Sequence, residues 1–299
     1  MAGACYFIWQ KVVNNEQLDF EHFRNQLETR LFNDYKTFLV LFGLSLTNWF
    51  LEAFKWKTLV ASVQQITFYN ALQQSLGSLT ASLFTPNRIG EYGAKAVYYK
   101  KGIRRKIMLL NLLSNMMQMT ITLIFGSIGF LYFIYHFKVN LDMYRLRRVA
   151  YIIAILIVII FAGYKGVKKI RGFYLDKIIN FIKQMPVKNH ILNMFYSLVR
   201  YLVFSHQFLF LLRIFGVETD YVTLMALITS MYFLASIVPG LALLDWLIKG
   251  SAAIWLFEFI GIRSLTVVTI VLIMWILNFG IPALIGSYFV INFRIPANT

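Results

Sequence analysis

Residues 265–291 read LTVVTIVLIMWILNFGIPALIGSYFVI, without one Asp, Glu, Lys or Arg. A helix needs only about 20 apolar residues to cross a hydrocarbon core of about 30 Å. Residues 107–137, IMLLNLLSNMMQMTITLIFGSIGFLYFIYHF, form a second run of this kind. Such lengths go beyond the core helices of a soluble domain. The composition agrees, with 59% hydrophobic residues, 14% charged residues and a mean hydropathy of +0.64. The expected fold class is an all-α polytopic membrane protein.

The net charge of +16 lies in the segments between apolar runs. That distribution fits anionic lipid headgroups on the cytoplasmic side. It does not favour nucleic acid, because no soluble domain is left over to hold it. Cys5 is the only cysteine, which excludes an internal disulfide and a cysteine-based metal site. The four histidines lack ligand spacing, so no metal and no cofactor are expected. No cleavable signal peptide is evident.

Residues 2–12 read as the end of a first span, and 13–36 as a mixed, acid-rich loop. A second span covers about 37–55, ending at the basic Lys55-Trp56-Lys57. The stretch 58–84 is too rich in Gln and Ser to face lipid and reads as helix packed inside protein. Further spans are expected at 107–137, 149–164, 191–213 and 264–291. An amphipathic interfacial helix is expected within the basic segment 165–190.

The positive-inside rule puts both KKGIRRK (100–106) and 165–190 in the cytoplasm. The segment 58–99 must then enter and leave on one face, as a re-entrant hairpin with its tip at Thr85-Pro86-Asn87. By the same logic 222–260 is a hairpin from the opposite face, with its tip at Pro239-Gly240. The expected architecture is about six spans plus two re-entrant helical hairpins. It forms an inverted repeat within a single membrane domain, 1–299, with repeat 1 about 1–138 and repeat 2 about 149–292.

The hairpins carry the chemistry. FTPNRIGEYGAKA (84–96) places Arg88, Glu91 and Lys95 behind Pro86, and VPGLALLDWLIKG (238–250) places Asp245 and Lys249 behind Pro239. The same offset, 154 residues, separates Glu91 from Asp245 and Lys95 from Lys249. Each acid and base lie four apart and share a helix face. Each proline is expected in the first turn of the returning arm, whose free N–H groups favour an anion. Arg88, Lys95 and Lys249 are the expected phosphate ligands, with Asn87 and Gly240 at the tips. Glu91 and Asp245 hold the bases in the empty state. The bland reading makes the same pairs surface ion pairs on kinked full-length spans. Gly90 and Gly93 serve close backbone approach or helix packing. Asn111, Asn115 and Gln118 share a face that either lines a cavity or bonds neighbouring helices. NFGIP (278–282) is expected to kink the last span.

TPNRIGEYGAKA resembles the P-x-R-x-G-E signature of the lysylphosphatidylglycerol synthase transmembrane-region family, the flippase-like membrane proteins. VPGLALLDWLIKGS resembles that family's second motif. Asn87 stands where glycine is common, Asp245 where glutamate is, and Lys249 where arginine is. The resemblance implies a multi-pass protein of the bacterial inner (plasma) membrane that moves lipids between leaflets. Larger relatives carry a soluble aminoacyl-transferase domain after the membrane region. This chain is expected to lack it, so lysyl transfer is not assigned.

The resulting expectation is a lipid flippase, not an enzyme. Its partner is a phosphate-bearing phospholipid or a polyprenyl-phosphate-linked lipid, bound where the hairpins meet. The alternatives are a non-transporting membrane subunit of a glycolipid or cell-envelope complex, and a membrane enzyme with an unrecognised site. Oligomeric state, direction and energy source are not legible in the sequence.

Overall fold

The computed structural model describes residues 35–86, 88–139, 175–238 and 240–293. The expected spans at 2–12 and 149–164, residues 13–34 of the expected loop 13–36, and the tip residues Asn87 and Pro239 lie outside them; Tyr35 and Lys36 open the first described helix instead. The described chain is all-helical. Its elements are α1 (Tyr35–Val60), α2 (Phe68–Ala81), α3 (Ile89–Val97), α4 (Arg104–His136), α5 (Leu175–Gln184), α6 (Val187–Ile214), α7 (Tyr221–Ile237), α8 (Asp245–Glu258), α9 (Ser264–Trp275) and α10 (Ile281–Ile291).

Four helical stretches are long and apolar enough to cross a membrane: Tyr35–Val60, Lys101–His136, Val187–Ile214 and Ser264–Ile291. Their side chains are sorted as a lipid solvent requires. On α1 the buried stripe includes Ser45, Asn48, Glu52 and Lys55, while Phe38, Leu39, Phe50 and Phe54 are exposed. On α6 the buried stripe includes Asn193, Ser197, Ser205 and Gln207, while Ile191, Phe195 and Leu202 are exposed. Polar groups inside and apolar groups outside reverse the pattern of a soluble helix. In hydrocarbon a polar side chain must find its partner within the protein. The chain is thus a multi-pass membrane protein.

The remaining helices are shorter. At about 1.5 Å per residue, α2 is about 21 Å long and α7 about 26 Å, both short of a full crossing. Thr67 caps α2 by accepting a hydrogen bond from the Asn70 N–H (3.1 Å), and Asp220 caps α7 by accepting from the Thr223 N–H (2.8 Å). The Gln-rich stretch divides as the chemistry demands. Gln74, Ser75 and Ser78 are buried on α2, whereas Gln64, Gln65 and Asn70 are exposed in the linker and first turn. A helix also occupies Leu175–Gln184, inside the segment expected to hold an interfacial one.

The two short helices pack on long ones. α2 packs along α10 and α7 along α4, while α1 packs against α6. Glycines permit both crossings. A Cβ on Gly286 would lie 2.2 Å from the Leu76 carbonyl, and one on Gly129 would lie 2.0 Å from Thr229 Oγ1. The Thr80 hydroxyl donates to the Ala283 carbonyl across the first crossing (2.7 Å).

Two apolar cores result. One joins Ala53, Trp56 and Leu59 to Ala71, Ala96 and Leu110; the other joins Phe208, Leu227, Ile228, Ile254, Phe257 and Ile270. Between them a small cluster of Leu79, Ala242, Phe279 and Ala283 sits where the turns meet. Pro86 and Leu241 form an antiparallel β-bridge there, and the Leu243 N–H donates to the Leu83 carbonyl (3.3 Å).

The expected kink at NFGIP is a π-helical turn, Ile276–Gly280, between α9 and α10. Such a bulge loosens backbone carbonyls. Two of them are taken up by α1: Ser45 Oγ donates to the Leu277 carbonyl (2.5 Å) and Trp49 Nε1 to that of Asn278 (3.1 Å).

Candidate functional site

Two adjoining cavities lie beside the junction of the turns. The larger is about 280 Å³ and includes Arg88, Arg200, Tyr232, Asp245, Lys249 and Asn278 in its lining. The smaller, about 130 Å³, includes Glu52, Lys55, Arg88, Glu91, Asn115, Gln118 and Arg200. Trp49, Arg88 and Arg200 belong to both and form their common wall.

Arg88 reaches this wall through an unusual backbone. It is the N-cap of α3 with φ of 57°, in the left-handed region that a residue with a Cβ rarely occupies. Its guanidinium lies 5.2 Å from the centre of the Phe279 ring. Phe279 is presented there by the π-helical turn.

Glu91 pairs with Lys95 at 2.8 Å and Asp245 with Lys249 at 2.5 Å, each one helical turn apart. Their settings differ. The Lys249 side chain is 34% exposed and lies 5.8 Å from the Tyr232 ring centre. Lys95 is fully buried, donates to Asn111 Oδ1 at 2.8 Å and sits 4.3 Å from the Trp56 ring centre. It lines neither cavity. Its ammonium is engaged by Glu91, Asn111 and the Trp56 ring.

Pro86 also departs from expectation. α3 begins at Ile89 and α8 at Asp245, so Pro86 precedes its helix and belongs to the β-bridge. Asp245 opens α8 and Glu91 stands in the first turn of α3, where a carboxylate is favoured by the free N–H groups. Gly240 is half-buried beside the bridge. Among the described residues nothing lies within 4 Å of a Cβ added at Gly93, while Gly90 abuts the Thr85 side chain. Asn115 and Gln118 do line the smaller cavity, and Asn111 serves Lys95 instead.

The centre of the site was not legible as such. Glu52 is buried in mid-α1 and gathers three bases: Lys55 (2.9 Å), Lys95 (3.8 Å) and Arg200 from α6. Lys55, read from the sequence as the basic end of a span, is 1% exposed and belongs to this cluster. Arg200 Nε also donates to Asn48 Oδ1 (2.9 Å). Asn48 donates onward to Asn278 Oδ1 (3.1 Å), and Asn278 to Gln207 Oε1 (2.8 Å). This chain of side-chain amides ties α1, α6 and the π-helical turn together. The available signal was an arginine in the middle of the apolar run 191–210, since ionisable residues inside a span are rarely ornamental.

Chemically the arrangement can hold an anion at the Arg88–Arg200 wall, with apolar surface from Phe204, Phe208, Val271 and Met274 alongside. Among the described residues no group of three His, Cys, Asp or Glu side chains is placed to hold a metal. Comparison with protein-family models, with curated proteins and with solved structures finds no match to this chain.

Proposed function

We propose that this protein is a lipid flippase. It moves a phospholipid or a polyprenyl-phosphate-linked lipid between leaflets and binds the phosphate where two re-entrant hairpins meet. The observation that carries the proposal is the pairing of the Pro86–Leu241 bridge with an arginine-lined wall beside it. A headgroup fits the polar wall, and acyl or prenyl chains remain with the apolar flank and the surrounding lipid.

In this reading α2–α3 and α7–α8 are the hairpins, each too short in its arms to cross. The two halves form an inverted repeat with α1 equivalent to α6, α2 to α7, α3 to α8, and α4 to α9–α10. Support comes from matching partners: α2 on α10 answers α7 on α4, and α1 meets its own counterpart α6. The offset shared by the two acid–base pairs points the same way. Rocking of one half against the other opens the site to alternate leaflets. The likeness of TPNRIGEYGAKA to the flippase-like family motif and a bacterial inner-membrane location belong to the same proposal.

The test is transbilayer movement of labelled phospholipid in proteoliposomes. Arg88→Ala and Glu91→Gln should abolish it while the variants insert normally, and unchanged movement in both overturns the proposal. Two other results would reassign the protein. A stable partner in gentle detergent with tolerance of Glu91 and Asp245 substitution identifies a non-transporting subunit. Turnover of a labelled lipid without change of leaflet identifies an enzyme.

A further inference from the structure

The ionic residues of the two cavities do not balance. Every acid already has a lysine: Glu52 with Lys55 (2.9 Å), Glu91 with Lys95 (2.8 Å) and Asp245 with Lys249 (2.5 Å). Two arginines are left over. Arg88 has no carboxylate within ion-pair distance among the described residues and feels only the charge of Asp245, itself held by Lys249, and Arg200 shares Glu52 with Lys55. Both stand on the wall common to the two cavities. Surplus positive charge in a low-dielectric interior is costly unless an anion answers it. Two guanidinium forks also match the oxygens of a phosphate in pairs, which ammonium groups do not.

From this surplus we infer that the site selects headgroups carrying two negative charges, phosphomonoesters or diphosphates, over singly charged phosphodiesters, with Arg200 as a second phosphate ligand beside Arg88. The inference rests on the lipid-phosphate reading above and narrows its substrate class. Arg200 can turn to a ligand without stranding its partner. Glu52 keeps Lys55 on one oxygen, and Lys95 stands 3.8 Å from the other. A monoanion would leave one arginine unanswered, whereas a dianion neutralises both.

Trp49 and Trp275 line the larger cavity, so their emission reports occupancy. Purified protein in neutral detergent is titrated at about pH 8, where a phosphomonoester carries about two charges. The probes are dioctanoyl phosphatidic acid, dioctanoyl phosphatidylmethanol and inorganic phosphate. The two lipids differ by one methyl group and one charge. Phosphatidic acid should bind at least about tenfold more tightly than its methyl ester, and Arg200→Gln should erase most of that preference. Equal affinity for the two lipids in the wild type overturns the dianion inference and leaves the lipid-phosphate reading standing. Binding of neither lipid overturns that reading itself. Inorganic phosphate binding as tightly as phosphatidic acid assigns the wall to a soluble anion and overturns the lipid. A preference that survives Arg200→Gln removes Arg200 from the site. Should that variant fail to fold, the wild-type comparison decides the headgroup class.

Discussion

Glu52 is the residue on which the ionic centre depends, because among the described residues it is the only carboxylate that touches bases from three helices, α1, α3 and α6. Glu52→Gln leaves the buried Lys55 and the half-buried Arg200 without their counter-charge. Breaking a buried pair in this way costs about 3–5 kcal/mol. A marked fall in the thermal midpoint of the detergent-solubilised protein is therefore expected. Glu91→Gln should fall less, because Lys95 keeps Asn111 and stays near Glu52. The reverse ranking would contradict the assignment of Glu52 as the hub. The sequence made Arg88, Glu91, Asp245 and Lys249 legible, because proline and acid-base spacing repeat there. It hid the hub, because Arg200 lies far along the chain from Glu52 and Lys55. Only the packing of α1 against α6 brings them together. Lys55 was misread for a related reason. A base near the end of an apolar run resembles a membrane-surface residue until the helix is seen to continue to Val60.

At the scale of elements, the crossings of α2 on α10 and α7 on α4 are set by glycines with no room for a side chain. Gly129→Val should separate α4 from α7, and Gly286→Val should separate α10 from α2. Overpacking of this kind costs about 1–3 kcal/mol or more. Gly93→Ala is the contrasting case. It lies inside α3 with nothing within contact of an added Cβ, so it should stabilise the helix by about 0.5–1 kcal/mol. Thermal midpoints of the three variants test the contrast, and equal effects would contradict the packing described. Long spans were legible from hydropathy, because lipid imposes one requirement on every turn. The π-helical turn was legible only as a kink at NFGIP. Its purpose depends on Ser45 and Trp49 of α1, which donate to the loosened carbonyls.

For the whole molecule, the proposed transport is organised about the junction of the two turns. Residues directly opposed in an antiparallel bridge have Cα atoms about 4.5–5.5 Å apart, inside the range of a disulfide. Pro86→Cys with Leu241→Cys, in a background where Cys5 is replaced by serine, should therefore cross-link under mild oxidation. If the halves must part to pass a headgroup, the bridge locks them. The decisive measurement is lipid movement in proteoliposomes carrying this double-cysteine protein, before oxidation, after it, and after reduction. The account predicts efficient cross-linking, arrest of movement while the bond is closed, and recovery on reduction. Failure to cross-link, or movement at the full rate through a closed bond, would contradict it.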